Sequence, residues 1–392
     1  MKRKIIIVSG TRADYGLLKK LTMLFQNDDS YETHFAATGT HLSEKHGKTI
    51  NLIRQDNIKN VVEVDIQIEG DQPQNIAHSL AIGIEQFSNL YKKINPEFIV
   101  VLGDRYELWS ACIPAAIFSI PIVHIHGGES TQGVIDEAVR HSITKMSHLH
   151  LCSHEDYRQR IIRMGENPER VHVVGAVGLD RIKEMHFMTK PELEQNLGIH
   201  FGTKNILCTF HPVTLDASES LKEVSALTET LEELLDQSDV RLFITFPNSD
   251  TYSSAIQQKW DALIKKYPSK VKGFANLGDL RYLSMMKNVD LILGNSSSGI
   301  IEAPFLKKAV VNIGLRQEGR LRSNHIIHCE GTRSEIKAAI ETALSSDFQS
   351  RLEAIPSIYG QGQSVQKIYQ LIQKTNFKNI VFKIFYDGEN KQ

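Results

Sequence analysis

Several residues able to do chemistry stand just where apolar runs of this chain break off. Arg12 and Asp14 follow the run in "KIIIVSGTRADYG", and Asp104 and Arg105 follow "FIVVLG". His124, His126 and Glu129 end or follow "IVHIHGGE", with Asp136 and Arg140 a few residues on in "DEAVRH". Farther along, His211 follows "NILCTF", Asn248 follows "RLFITFP", and "NSSSGIIE" brings Ser296, Ser297, Ser298 and Glu302 directly after "DLIL". Carboxylates and histidines of this kind can move protons, and crowded carboxylates raise one another's pKa, so that one can stay protonated near neutrality. Small residues leading into a helix offer unpaired backbone N–H groups and a helix dipole to an anion. Together these residues suggest acid–base chemistry on a phosphate-bearing substrate.

The elements that must position them alternate. Short β-rich runs ("KIIIVSG", "THFAATG", "NVVEVDI", "FIVVLGD", "IVHIHGG", "LHLCS", "RVHVVGA") are separated by helix-length segments. In residues 75–95, Ala77, Leu80, Ile84, Phe87, Tyr91 and Ile94 recur at alternating threes and fours, which predicts an amphipathic helix. Continuous apolar strands with helices between them indicate a parallel sheet covered on both faces. A second series of the same kind starts near residue 205. The expected fold is α/β, two Rossmann-like domains facing a cleft. Residues 1–180 would form the first, on the carboxylate side. Residues 181–375 would form the second, on the phosphate side, and 376–392 a tail. The stretch 180–203 lacks a strong period and reads as the linker. In open parallel sheets ligands bind beyond the carboxyl ends of strands, where these polar residues fall.

Each position also has a plain structural account. Asp and Asn after a strand often only cap a helix or form a turn. Ser298 with a carboxylate near the third helical position reads equally as a capping box, worth about 1 kcal/mol. Asp136 and Arg140, four apart, could be a surface ion pair of a few tenths of a kcal/mol. The two histidines of "HIHGG" are expected to point to opposite faces, one of them into the core. A metal held by His124, His126 and Glu129 is disfavoured, because the HExxH spacing is absent.

Composition narrows the classes. The 392 residues include 41% hydrophobic and 23% charged, ordinary for a globular enzyme, and the net charge of −1 provides no basic field for nucleic acid or a membrane surface. The cysteines, Cys112, Cys152, Cys208 and Cys329, lie far apart in apolar runs, so reduced core thiols in a cytoplasmic protein are expected. The apolar run after "MKRK" is too short for a signal sequence or a span. No GxxxxGK[ST] occurs and no GxGxxG follows the first strand, which weighs against ATP hydrolysis and nicotinamide chemistry.

At this point a resemblance enters. "GTRADYG", "TGTHLS", "VLGDRYE", "HIHGGE", "DEAVRHSITKMSHLHL", "TFHPVT", "GNSSSGIIEAP" and "NIGLRQEGR" resemble, in order, the hydrolysing UDP-N-acetylglucosamine 2-epimerases of bacterial sialic-acid pathways. The likeness runs from about residue 4 to 325. The non-hydrolysing epimerases carry a "HVEAG"-type motif where this chain has "HIHGGE". The resemblance implies a glycosyltransferase-B-like fold, no cofactor, a UDP-sugar substrate and a homodimer or homotetramer. It implies that Arg12, Ser296, Ser297, Ser298, Glu302 and Arg316 hold the nucleotide, with Arg105, His211 and Asn248 nearby. It assigns acid–base roles to Asp104, Glu129 and Asp136, with His211 beside the leaving phosphate. The implied reaction converts UDP-N-acetylglucosamine and water to N-acetylmannosamine and UDP through a 2-acetamidoglucal. Related enzymes acting on UDP-N,N'-diacetylbacillosamine share all these motifs and form the alternative. A retaining glycosyltransferase and a non-catalytic nucleotide-sugar binder are more distant rivals, since neither needs so many carboxylates.

Overall fold

In the computed structural model the described residues are 2–44, 47–68, 72–131, 135–212, 217–246 and 253–388. The chain divides into two compact units, one of residues 1–180 with 360–392 and the other of 181–359.

The first unit is built on a parallel sheet of β1 (Arg3–Ser9), β2 (Tyr31–Thr38), β3 (Val61–Val64), β4 (Phe98–Leu102), β5 (Ile122–Ile125), β6 (Leu149–Cys152) and β7 (Val171–Val173). Their order across the sheet is β3-β2-β1-β4-β5-β6-β7. The central strands are apolar at successive positions because both faces are covered. Ile5, Ile7, Phe98 and Val100 enter one core with Leu18, Leu21 and Phe25 of the helix Arg12–Gln26. Ile6, Val8, Ile99 and Val101 enter the other, with Phe87 and Tyr91 of the helix Pro73–Ile94 and Leu108 and Cys112 of the helix Glu107–Ile117. Each such side chain contributes roughly 1.5–3 kcal/mol by leaving water. The helix expected at 75–95 is present, with its buried face on Ser79, Gly83, Phe87, Leu90, Tyr91 and Ile94, while Ala77 is exposed.

The second unit repeats the plan with β8 (Lys204–Thr209), β9 (Val240–Thr245), β10 (Val271–Phe274), β11 (Leu291–Gly294), β12 (Ala309–Ile313) and β13 (Ile326–Cys329), ordered β10-β9-β8-β11-β12-β13. Ile206, Cys208, Leu242, Ile244, Leu291, Leu293, Val311 and Ile313 form its core with the fully buried Trp260. In both sheets strand order reverses next to the first strand, between β1 and β4 and between β8 and β11. That reversal splays the following loops apart and leaves a crevice at the strand ends.

Two features go beyond the sequence reading. The stretch read as a linker is helical over Gly178–Glu184 and Lys190–Leu197, the latter opened by a capping box of Thr189 and Glu192. The helix Ser364–Lys374, read from the sequence as able to pack on either domain, packs on the first unit. Asp180 accepts from the Ser364 and Val365 N–H groups at 2.8 and 2.9 Å, and the Tyr369 ring lies 5.0 Å from Phe25. Capping carboxylate and apolar stripe act together, which periodicity within one helix could not disclose. All four cysteines are free and buried. No helix among the described residues is long and apolar enough to cross a membrane.

Candidate active site

The first unit gathers its charged side chains beyond β1, β4 and β5. After β1, Thr11 caps the helix Arg12–Gln26, its Oγ1 accepting from the Asp14 N–H at 3.2 Å. Arg12, at the first helical position, is exposed. Gly39, with φ +60°, brings the end of β2 close: a Cβ there would lie 2.8 Å from the Gly10 carbonyl oxygen and 3.2 Å from Glu107 Cγ. Glu107 itself is wholly buried and ion-paired to Arg105, Nη2 to Oε1 at 2.9 Å. Asp14 Oδ2 is buried with no hydrogen-bond partner. Burial pushes the Asp14 carboxyl up to about 6, with Arg105 lowering it and Glu107 raising it. Burial also pushes the Asp136 carboxyl up, again with Arg105 pulling down and Glu107 pushing up. One guanidinium therefore serves Asp14, Glu107 and Asp136.

Asp104 has a different partner. It pairs with Arg140, which is 2% exposed and also donates at 3.0 Å to the Glu129 carbonyl, to Glu137 Oε2 and to Thr131 Oγ1. Burial raises the Glu137 carboxyl, but donors from Thr131, Ser130 and His141 outweigh it and hold it below the usual range. The ion pair read between Asp136 and Arg140 thus gives way to pairs of Arg140 with Asp104 and Glu137, one within its own helix and one across the strand ends.

Glu129 sits in a donor pocket. Its Oε1 lies 2.9 Å from His126 Nδ1 and accepts the Ser153 hydroxyl at 2.9 Å. The Val177 N–H donates to His126 Nε2 at 3.2 Å. His124, fully buried, donates from Nε2 to the Gly103 carbonyl at 2.8 Å and has Thr144 Oγ1 3.3 Å from Nδ1. Burial pushes the His124 imidazole down to about 3, so it is neutral and ties the end of β4 to β5. The expectation of opposite faces needs correction, since positions two apart on a strand share a face. The histidines part because β5 ends at Ile125 and His126 turns into the left-handed region, φ +65°. Both ring nitrogens of each histidine thus lie against protein groups.

The second unit carries amides and hydroxyls. The His211 N–H donates to Asn295 Oδ1 and the Asn295 amide returns a bond to the His211 carbonyl, both at 2.8 Å, so one buried side chain joins the loops after β8 and β11. Gly294 permits this: its φ is +125° and a Cβ would sit 2.0 Å from the Thr209 oxygen. Arg316 and Gln317 each donate to the Asn295 carbonyl at 3.0 Å. The helix Ser297–Phe305 starts here with Ser296 as its cap, accepting from the Ser298 N–H at 3.4 Å. The cap is Ser296 rather than Ser298, whose hydroxyl lies 2.6 Å from that of Tyr282. Burial pushes the Glu302 carboxyl up, with Arg181 pulling it down. Asn248 lies outside the described residues.

Of the residues singled out from the sequence, Arg12, Asp104, Arg105, Glu129 and Asp136 come together at the strand ends of the first unit. His211, Ser296, Ser297, Ser298, Glu302 and Arg316 do so in the second. His126 and Arg140 were named among the candidates without an assigned role, and Glu107 and Asn295 were given none although each stands within two residues of one that was. Fully buried charge and reciprocal amide bonds are tertiary facts. A surface groove lined by Arg158, His172, Lys367 and Lys374 lies along β7 at the sheet edge, away from these loops.

Comparison with known proteins shows the family and the fold. The family model described as UDP-N-acetylglucosamine 2-epimerase matches residues 24–373. The GDP/UDP-N,N'-diacetylbacillosamine 2-epimerase (hydrolyzing) of Campylobacter jejuni is 38% identical over 98% of this chain and 99% of its own. Polysialic acid biosynthesis protein P7 of Escherichia coli is 34% identical over 98% of this chain and 97% of its own. Among solved structures, the UDP-GlcNAc 2-epimerase of Neisseria meningitidis bound to UDP-GlcNAc has a TM-score of 0.78 at 18% identity, over 95% of this chain and 100% of that one, a likeness of fold. The two parallel-sheet α/β domains are those of a glycosyltransferase-B-like fold. The chain belongs to the UDP-N-acetylglucosamine 2-epimerase family, whose members act on nucleotide sugars.

Proposed function

We propose that this protein is a hydrolysing 2-epimerase of a UDP-activated 2-acetamido sugar. The observation that carries the reading is the contrast between two carboxyls of the first unit. Glu129 Oε1 lies 2.9 Å from His126 Nδ1 and accepts the Ser153 hydroxyl, polar partners that suit a carboxylate. Asp136 is desolvated beside Glu107, which favours its protonated form. Two carboxyls in such unlike surroundings suit removal of one proton and delivery of another.

The chemistry asks for that. The C2 proton of the sugar is weakly acidic, so its removal must be coupled to departure of UDP from C1. The C2–H electron pair becomes the C1=C2 bond as the C1–O pair leaves with UDP. Water then bonds to C1, losing a proton, while C2 takes a proton on its opposite face. The result is the free 2-epimer and UDP. Arg12, Ser296, Ser297, Ser298 and Arg316, with the start of the helix Ser297–Phe305, would hold the diphosphate and stabilise the departing charge. Glu302, raised by burial, would take ribose hydroxyls. Asp104, Glu129 and Asp136 would handle the protons, with His211 beside the leaving phosphate. Asp104 is ion-paired to Arg140.

Two sugars compete. The Campylobacter relative is named for the diacetylated sugar and for hydrolysis, which supports UDP-N,N'-diacetylbacillosamine. The Escherichia relative, named for polysialic acid biosynthesis, supports UDP-N-acetylglucosamine giving N-acetylmannosamine for sialic acid. Proton NMR of the protein with each nucleotide sugar in D₂O is the test. Free 2-epimer carrying deuterium at C2, together with UDP, supports the reading, and the faster sugar names the substrate. A 2-epimer still attached to UDP would replace it with the non-hydrolysing reaction, and no turnover of either sugar would overturn it.

A further inference from the structure

His126 has no part in the reaction as derived above, yet the fold goes to some length to hold it. It is a non-glycine residue at φ +65°, a conformation that costs on the order of 1 kcal/mol or more and gathers at functional positions. Its backbone N–H still completes the sheet, donating to the Leu151 carbonyl at 2.9 Å. The turn swings its ring toward Glu129, three residues on. There the Val177 N–H donates into Nε2, so that nitrogen carries no proton and the neutral ring must carry its proton on Nδ1. Nδ1 lies 2.9 Å from Glu129 Oε1, the oxygen that accepts from Ser153, itself 1% exposed.

Resting on the reaction proposed above, we infer that His126 is a positioning residue whose Nδ1–H, locked by the Val177 amide, keeps Glu129 an ionised base. The assignment also separates the carboxyls: Glu129 takes the C2 proton and Asp136 returns one. In the first step the C2–H pair passes into C1=C2 as UDP leaves and the proton goes to a Glu129 oxygen. In the second, the π pair takes the Asp136 proton at C2 while water oxygen bonds to C1, its proton passing to a carboxylate of the site. Other charged or titratable groups near Glu129 are Arg140, donating to its carbonyl, Arg160, donating to the Gly128 carbonyl, and His124, held neutral by burial. Removing His126 leaves all three in place.

The test compares His126→Asn with His126→Gly. Asparagine tolerates left-handed φ and offers an amide N–H in place of Nδ1–H, whereas glycine keeps the turn and removes the donor. A base must be ionised, so activity rises with pH through its pKa, and losing a donor to the ionised form moves that rise upward. In His126→Gly the acidic limb of the kcat–pH profile should move up by about one unit, with kcat at pH 7 falling roughly 10-fold. Its affinity for UDP should stay within about 3-fold, because the donor does not touch the nucleotide groups. His126→Asn should restore the limb, and Ser153→Ala should shift it in the same direction by less. An unmoved limb in His126→Gly, or equal losses in the Asn and Gly variants, would overturn the inference.

A second readout works without turnover. The carboxylate infrared band of Glu129, isolated by subtracting the Glu129→Gln spectrum, is titrated in the substrate-free protein. If it moves upward in His126→Gly while the unaltered protein turns over neither sugar, the reaction reading falls and the role of His126 stands. If it does not move, the inference falls.

Discussion

The two units share a strand order but not a chemistry at its reversal point. At the ends of β1, β4 and β5 stand compensated charges: Arg105 with Glu107, Arg140 with Asp104 and Glu137, Glu129 within reach of His126 and Ser153. At the ends of β8 and β11 stand the Asn295 amide clasping the His211 backbone, Ser296 opening a helix, and the cation Arg316 on the Asn295 carbonyl. The contrast is informative because the scaffold is held constant. Neutral donors at a helix start carry no built-in anion to compete with an incoming phosphate. Carboxyls in unequal environments can hold and release protons, but would repel a diphosphate without their arginines. One architecture thus supports two tasks, set by the side chains that its loops display.

The largest effect should come from the charged side. Glu129→Gln keeps size but ends proton acceptance, so kcat should fall roughly 10³-fold while UDP affinity stays within a few-fold. Isothermal titration with UDP, beside the turnover assay, checks both halves; lost UDP binding with intact turnover would move Glu129 to the nucleotide-binding groups and blur the contrast. On the neutral side, Asn295→Ala removes a buried amide that satisfies two backbone groups of His211. It should destabilise the second unit by about 2–3 kcal/mol and weaken UDP binding, with the loss seen in denaturant unfolding. Unchanged unfolding would mean that the clasp does not order these loops.

A third test sharpens the charged side by pH. The folded-state pKa of Asp14 is raised to about 6, so the native protein holds this proton more tightly than the unfolded chain does. Ionising Asp14 therefore costs stability, a cost absent below the ordinary carboxylate range and fully present above about pH 6. Asp14→Asn should gain stability relative to the unaltered protein as pH rises from about 4 to about 7, by on the order of 1–3 kcal/mol. A difference in unfolding free energy that stays flat with pH would count against a buried, proton-holding Asp14. The smallest expected effect is that of Ser296→Ala, which removes a cap worth about 1 kcal/mol. A much larger loss of UDP affinity than of stability would show the hydroxyl acting on the ligand as well as on the helix.

The sequence alone determined the architecture and the neighbourhood of the chemistry. Runs such as "KIIIVSG" and "DLILG" are apolar at successive positions because their strands are covered on both faces, and this pattern is local and readable. So is the placing of Asp104, Glu129 and Asp136 after β4 and β5, since parallel sheets present their loops at the strand ends. Only the tertiary structure decided which partner each polar side chain takes. Arg140 reads from its helix as a mate for Asp136, yet it pairs with Asp104 from another strand and with Glu137. The tautomer of His126 depends on Val177, fifty-one positions away in the chain. The helix Ser364–Lys374 joins the first unit because Asp180 caps it there. Periodicity reports the face an element buries; charge pairing and desolvation depend on distances across the fold, and only folding sets those.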